Sequence, residues 1–583
     1  RTLQIVLTSI AAFLCGVAGW RVRGVGAGIA ATAVILSSSS VLINATEIEP
    51  ETMILVAVSF FLALFPWGEE PRRWTSALAG LAAGFAIALR PTFALPFLFV
   101  SGWLAWRAFS RQRSIQRSVA LLMIGGSLIP VAVSFVAVRT TSEAGVSMNP
   151  GTVFYEGMNP YATGYAGVQP RIVNDLESLI GQPDSLHIAY RLVAARASGG
   201  GSTPEETNRY WADKAVQYAT DFPARASRLT LSKIFFSLHS HDSWDLVTMI
   251  RKERELESLP WLPFGVALSI GIMGMLAIPR DRAIPLILLL AGAVCVMAIF
   301  YVTARQRNVL WPFVAVLAGC GLSEIARWAN RRMLVHLALS ALFLVPVTLI
   351  LSRPWHAQQE DRYAWTALLS STELWMRAQS AREAGELETA QRYLALDRLW
   401  LDDQDEILDL PADLLGSAAI HRLDEATSPQ RAFDISLALI DAGRFEEAEK
   451  LITVLDRNGY TPLRGNAIPQ STSWQRARVA LEQADRDVPS TILHEAERES
   501  PGTPEIVAAA GALRGLELSE LRENAGRYVD PFSADLAIIR AMTLLGRNRD
   551  AAWMISQLEQ RIPEWNRPRK LYRELRLEDF PLE

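Results

Sequence analysis

Cysteine is almost absent. Three residues in 583, Cys15, Cys295 and Cys320, each stand inside an apolar run, where a thiol behaves as a small hydrophobe and suggests neither a disulfide framework nor a metal site. Excess charge is missing too. A net charge of −4 gives nucleic acid no electrostatic footprint, so any anionic ligand must meet local arginines instead. The first apolar run, Leu3 to Trp20, lacks the basic leader and small-residue cleavage site of a signal peptide and reads as a membrane span. Since the chain begins at Arg1 with a span that runs inward, an earlier span and outer loop are expected before it. Glycine-rich Ser198–Ser202 is followed by no Gly-Lys-Ser/Thr, which removes a phosphate loop and leaves a connection. From Arg353 to Glu583 no run approaches the roughly 20 apolar residues that a span needs.

What is present is a hydrophobic content of 50%, concentrated before Ser352. The chain therefore reads as all-α, with a polytopic transmembrane bundle over 1–352 and a soluble helical domain over 353–583. About ten spans are expected: Leu3–Trp20, Val25–Ile43, Met53–Trp67, Thr75–Leu89, Phe93–Trp106, Val119–Val138, Pro260–Ile278, Ile284–Val302, Val309–Ile325 and Leu334–Leu351. Arg21 and Arg23, the group Arg107, Arg111, Arg113 and Arg117, and the group Arg327, Arg331 and Arg332 fall on alternate connections, which the positive-inside bias puts in the cytoplasm. The connection holding Glu47, Glu49 and Glu51 has no basic residue and falls on the opposite side. The same alternation places a large loop over 139–259, and everything after Arg353, outside.

The spans between Met53 and Trp106 are only about 15 residues each, so their ends sit below the membrane surface. Arg90-Pro91 is the turn between two of them. An unpaired charge at that depth costs at least about 2.5–3.5 kcal/mol, which implies either an anionic partner or a side chain that snorkels to the interface.

Four stretches carry a resemblance. The run from Leu78 to Thr92, LAGLAAGFAIALRPT, resembles a hairpin of the bacterial glycosyltransferases similar to family 39, the protein mannosyltransferases and their relatives. Asn44-Ala-Thr-Glu-Ile-Glu-Pro50 resembles their Thr-Glu-Pro segment, with Ile48 and Glu49 inserted before Pro50. Gly151 to Pro160, followed by Gly164, resembles the stretch opening their large outer loop, with Val153 and Met158 where the family has asparagine. Tyr301 to Pro312, with Ala318-Gly319, resembles an outer hairpin rich in arginine.

Membership would imply a GT-C fold and a polyprenyl-phosphate sugar as donor. Transfer, with inversion, would go to a lipid, glycan or protein acceptor outside a bacterial cytoplasmic membrane. The resemblance also implies that Arg90, Arg305 and Arg307 grip the donor phosphate, since guanidinium binds phosphate in bidentate fashion. Tyr155, Asn159 and Tyr301 become substrate-loop residues. Arg305 and Arg307 would diverge on a helix and share a cavity only in an irregular turn. The catalytic acid is expected upstream of Arg1, which leaves Glu47 and Glu49 as the substitutes nearest the expected cavity. The cofactor is unknown, with a divalent cation left open. His239-Ser-His241-Asp242 reads as a polar turn in preference to a metal site, because no further ligand stands nearby.

Beyond Trp355 the segments Glu383–Ala390, Asp441–Ala448 and Leu545–Ala551 resemble the turn of a tetratricopeptide unit, a glycine followed by a small alanine. A domain of that kind would present a surface for a protein partner. Besides the enzyme, two other classes remain: a lipid-linked-sugar transporter, which should show internal repeats of spans, and a non-catalytic assembly protein acting through its helical domain.

The charge pattern makes a topological prediction. A cysteine placed at position 358 should react with a membrane-impermeant reagent in intact cells whose outer membrane is permeabilised, and one at position 113 should not. The reverse labelling would overturn the orientation.

Overall fold

The computed structural model describes residues 2–353 apart from breaks at 48–49, 68–72, 111–113, 142–149, 166, 181–184, 201–202 and parts of 244–260, together with 472–482, most of 496–565, and scattered positions within 436–453 and at 571 and 575. Among the described residues it is helical, with no strand. In chain order the helices are α1 (Thr2–Arg23), α2 (Val25–Leu36), α3 (Ser39–Asn44), α4 (Glu51–Leu64), α5 (Arg73–Leu89), α6 (Ala94–Ser110) and α7 (Ser114–Thr141). Next come α8 (Pro150–Gly157), α9 (Arg171–Ile180), α10 (Ser185–Ser198), α11 (Pro204–Asp221) and α12 (Pro223–Leu238). After these stand α13 (Phe264–Ala277), α14 (Arg280–Ile299), α15 (Ala304–Arg307), α16 (Trp311–Asn330) and α17 (Leu334–Ser352). The last described are α18 (Thr472–Glu482), α19 (Pro504–Leu513), α20 (Leu518–Ala525), α21 (Pro531–Leu544) and α22 (Asn548–Arg561).

Two compact units result, one of Arg1–Met148 with Thr230–Pro354, the other of Asn149–Leu229 with Trp355–Glu583. Among the described residues of the first, five helical segments are long and apolar enough to cross a membrane: Thr2–Arg23, Arg117–Val136, Arg280–Ile299, Ala304–Asn330 and Leu334–Ser352. α17 has a single buried residue, the polar Ser340, while Leu334 and Leu342 are each 73% exposed. That inversion of the usual soluble pattern is what lipid surroundings require. The protein is accordingly a membrane protein.

The other five expected spans are shorter as helices. The serine run 37–40 divides the second, because Ser37 Oγ donates to the Ala33 carbonyl (2.7 Å) and Ser38 Oγ caps α3 by accepting from Val41 N (3.3 Å). Such side chains offer the backbone an alternative to continuing a helix. α4, α5 and α13 span 14, 17 and 14 residues, and Pro263 sets the start of α13 as its N-cap.

Close backbone approach holds the first unit together. Gly80 and Gly84, one turn apart on α5, lie against α7 so tightly that a Cβ on either would overlap the carbonyl oxygen of Met123 or Ser127. Gly274 on α13 and Gly321 on α16 meet the Leu317 and Ile270 carbonyls in the same manner. Between lipid-facing helices small residues are the means of association, since lipid tails are as apolar as leucine.

The second unit draws on both sides of the expected division at 352/353. Most of the supposed outer loop shares a core with the C-terminal segment: Tyr155, Tyr190, Trp211 and Tyr218 are buried with Ile506, Phe532, Ile538, Ile555 and Trp565. Tyr161 donates to Glu505 Oε2 at 2.8 Å, and Lys214 Nζ to the Gly526 carbonyl at 2.6 Å. Of the three segments resembling tetratricopeptide turns, Leu545–Ala551 joins α21 to α22 with Gly546 left-handed at φ 71°, a conformation that glycine adopts without strain. Glu383–Ala390 lies outside the described residues.

Two expected outcomes follow from this packing. Gly84→Val should lower the midpoint of thermal unfolding in detergent, by overpacking of roughly 1–3 kcal/mol, whereas Gly102→Ala, with open space around it, should not; equal midpoints would remove the α5–α7 seam as a determinant. Truncation after Ser352 should make residues 150–229 sensitive to limited proteolysis, and unchanged protection would mean that this segment folds alone.

Candidate functional site

Buried polar groups stand in the first unit where α3 ends, where α4 begins and at the turn Asn308–Leu310. Pro91 forbids Arg90 the helical region and holds it extended at φ −147°, ψ 100°, capping the short 3₁₀ turn Pro91–Phe93. The Arg90 guanidinium is thereby brought to Glu51, the first residue of α4, with Nη1 3.4 Å from Oε1. Glu51 is only 6% exposed, and its Oε2 is buried with no hydrogen-bond partner. A carboxylate at a helix N-terminus is favoured by the dipole.

Two amides are left in a similar state. Asn44 Nδ2 donates to the Ser40 carbonyl at 2.7 Å while its Oδ1 has no partner. Asn308, in the 3₁₀ turn Asn308–Leu310 that packs against α4, has neither amide atom partnered. Ser40 Oγ accepts from Trp311 Nε1 at 2.8 Å, which ties α3 to the start of α16. Buried polar groups without partners are rare and cost about 1–3 kcal/mol each, so their gathering marks a place suited to a polar ligand or ordered water.

The expected site residues separate. Glu47 is half-buried and ion-paired with Lys252; Glu49 lies outside the described residues. Arg305 and Arg307 share the single helical turn α15, capped by Thr303, so they diverge and do not face one cavity. Arg307 is buried. It donates to Asp242 and to the His239 carbonyl, and its guanidinium lies 4.9 Å from the Phe264 ring centroid. Those partners make it an internal anchor. Arg305 remains half-exposed on the same turn, and Tyr301 is half-buried where α14 ends.

Tyr155 and Asn159 belong to the other unit and are interior to it. Tyr155 packs on Trp211 with ring centroids 4.8 Å apart. Asn159 Nδ2 donates to the carbonyls of Tyr155 (2.8 Å) and Val168 (3.0 Å), and its Oδ1 accepts from Tyr161 N (2.9 Å). Asn159 thereby pins the turn after α8.

His239 has no donor atom left for a metal. Its Nε2 meets the Arg353 carbonyl at 3.0 Å and its Nδ1 accepts from His241 N at 3.0 Å, while burial pushes the imidazole down to about 4. Among the described residues no group of three or more His, Cys, Asp or Glu could hold a metal ion.

Sequence reading passed over Glu51 as a site residue, and also Asn44, Asn308 and Lys233. Glu51 stood in view within the acidic cluster, but its burial could not be read from the chain. Lys233 was signalled by a lone charge in the apolar stretch Leu231–Phe236. It is fully buried, bonded among the described residues only to the Ile299 carbonyl (3.4 Å), and burial pushes its ammonium down to about 7. Compared with known proteins, the chain matches no family model, no curated protein and no solved structure.

Proposed function

We propose that this membrane protein is a glycosyltransferase that moves a sugar from a polyprenyl-phosphate donor to a hydroxyl on a lipid, glycan or protein acceptor, on the outer face of a bacterial cytoplasmic membrane. The observation that carries the reading is the buried Glu51 carboxylate beside Arg90 at one end of an apolar helical bundle, its Oε2 buried without a partner, as are Asn44 Oδ1 and both amide atoms of Asn308. The sequence resemblance supplies the substrate class.

A polyprenyl tail partitions into the bilayer and leaves its phosphate at headgroup depth. Arg90 takes the phosphate oxygens and stabilises the negative charge that develops on the leaving phosphate. The phosphate draws Arg90 away from Glu51. The freed carboxylate accepts the proton of the acceptor hydroxyl as its oxygen attacks the anomeric carbon; the bond from that carbon to the phosphate oxygen breaks, and polyprenyl phosphate leaves with the electron pair. Glu51 replaces Glu47 as base because Lys252 already engages Glu47.

The test is incubation of membranes carrying the full chain with a panel of radiolabelled polyprenyl-phosphate sugars. Label should pass from one donor to a new product. Glu51→Gln should lower turnover by about 10²–10⁴-fold, and Arg90→Ala should cost roughly 1.5–3 kcal/mol of transition-state stabilisation. Donor binding without transfer would favour the transporter or assembly reading, and full turnover by Glu51→Gln would remove it as the base.

A further inference from the structure

At the opposite end of the first unit, a cavity of about 370 Å³ is lined by Arg23, Arg282, Arg327, Glu324, Ser323 and Pro279, among others. Three guanidinium groups here face one carboxylate. Glu324 is 4% exposed and pairs with both Arg23 and Arg327. Arg282 Nη1 donates to the Val22 carbonyl at 2.6 Å, and Arg23 donates to the Ala277 carbonyl. These bonds cap the ends of α1 and α13, where cations are favoured. They use few of the five N–H donors that each guanidinium carries. Two positive charges are therefore left uncompensated around this largely open hollow, and Pro279, the N-cap of α14, adds the positive end of a helix dipole to its wall.

We infer that this cavity binds a phosphate-bearing anion, held by Arg23, Arg282 and Arg327. Planar guanidinium forks match phosphate oxygens in pairs. The cavity lies at the ends of α1 and α14, both long enough to cross a bilayer, so it stands at headgroup depth and is open to two sources: the phosphate of an anionic phospholipid or a soluble phosphate. The site is independent of the proposed glycosyl transfer, since it lies at the end away from Glu51.

The test uses the full chain in two arms. In neutral detergent, thermal unfolding is followed against inorganic phosphate; in nanodiscs of phosphatidylcholine, it is followed with and without phosphatidic acid. Protection should appear in at least one arm. Protection by inorganic phosphate identifies a soluble ligand, and protection by phosphatidic acid alone identifies a lipid headgroup. Arg327→Gln should raise the half-saturating concentration about tenfold; its side chain is half-exposed and bonds to Glu324, so this variant is expected to fold. Arg282→Gln, where folded, should move the same way, and Arg514→Gln, at an exposed arginine of the other unit, should match the wild type. No protection in either arm, a wild-type midpoint in Arg327→Gln, or an equal loss in Arg514→Gln overturns the inference.

Discussion

Contact between backbones at small residues is the constraint on which the first unit depends. Helices in lipid gain nothing by hiding leucine from leucine, so they associate where side chains are small enough to bring peptide groups together. Gly80 and Gly84 do this for α5 on α7, and Gly274 and Gly321 for α13 on α16. The consequence reaches the candidate site. Once Gly84 seats α5, the helix must end at Leu89 because Pro91 follows, and Arg90 emerges beside Glu51. The glycines in the run from Leu78 to Thr92 are thus packing residues, and its arginine is the residue with chemistry to offer.

The charged groups at the two ends are arranged in opposite ways. At the end rich in arginine, Arg21, Arg23 and Arg282 donate to the carbonyls of Ala63, Ala277 and Val22, each near the last turn of a helix. Charge gathered on these connections also satisfies orphan carbonyls in the fold. At the other end Arg307 is enclosed by Asp242, the His239 carbonyl and the Phe264 ring. A buried pair of this kind contributes little net stability, but removal of one partner leaves a costly unpaired charge. It fixes position. Arg90 lies 3.4 Å from Glu51 and is 26% exposed, so its guanidinium is open to solvent where that of Arg307 is not.

The second unit shows how a resemblance in sequence can mark packing. Gly151 to Pro160 reads as the opening of a loop over a substrate, yet Gly151 lies directly against the Asn208 backbone, Glu156 accepts from Tyr190 at 2.9 Å, and Asn159 closes the turn. The Asn159 side-chain amide satisfies backbone groups that the turn would otherwise leave buried without partners.

The sequence by itself determined the helical class, the membrane character and the gathering of arginines on alternate connections, because apolar length and charge are one-dimensional quantities. It also pointed to Arg90, since a charge before proline between apolar runs is visible without a fold. Only the tertiary structure decided that five helices among the described residues have the length and apolarity of a span, that residues 149–229 join the C-terminal core, and that Glu51 is buried while Glu47 is half-buried. Those outcomes turn on which side chains meet across long separations in the chain: Glu51 with Arg90, Glu47 with Lys252, Arg307 with Asp242. Burial and pairing are properties of such meetings, and neither hydropathy nor spacing contains them.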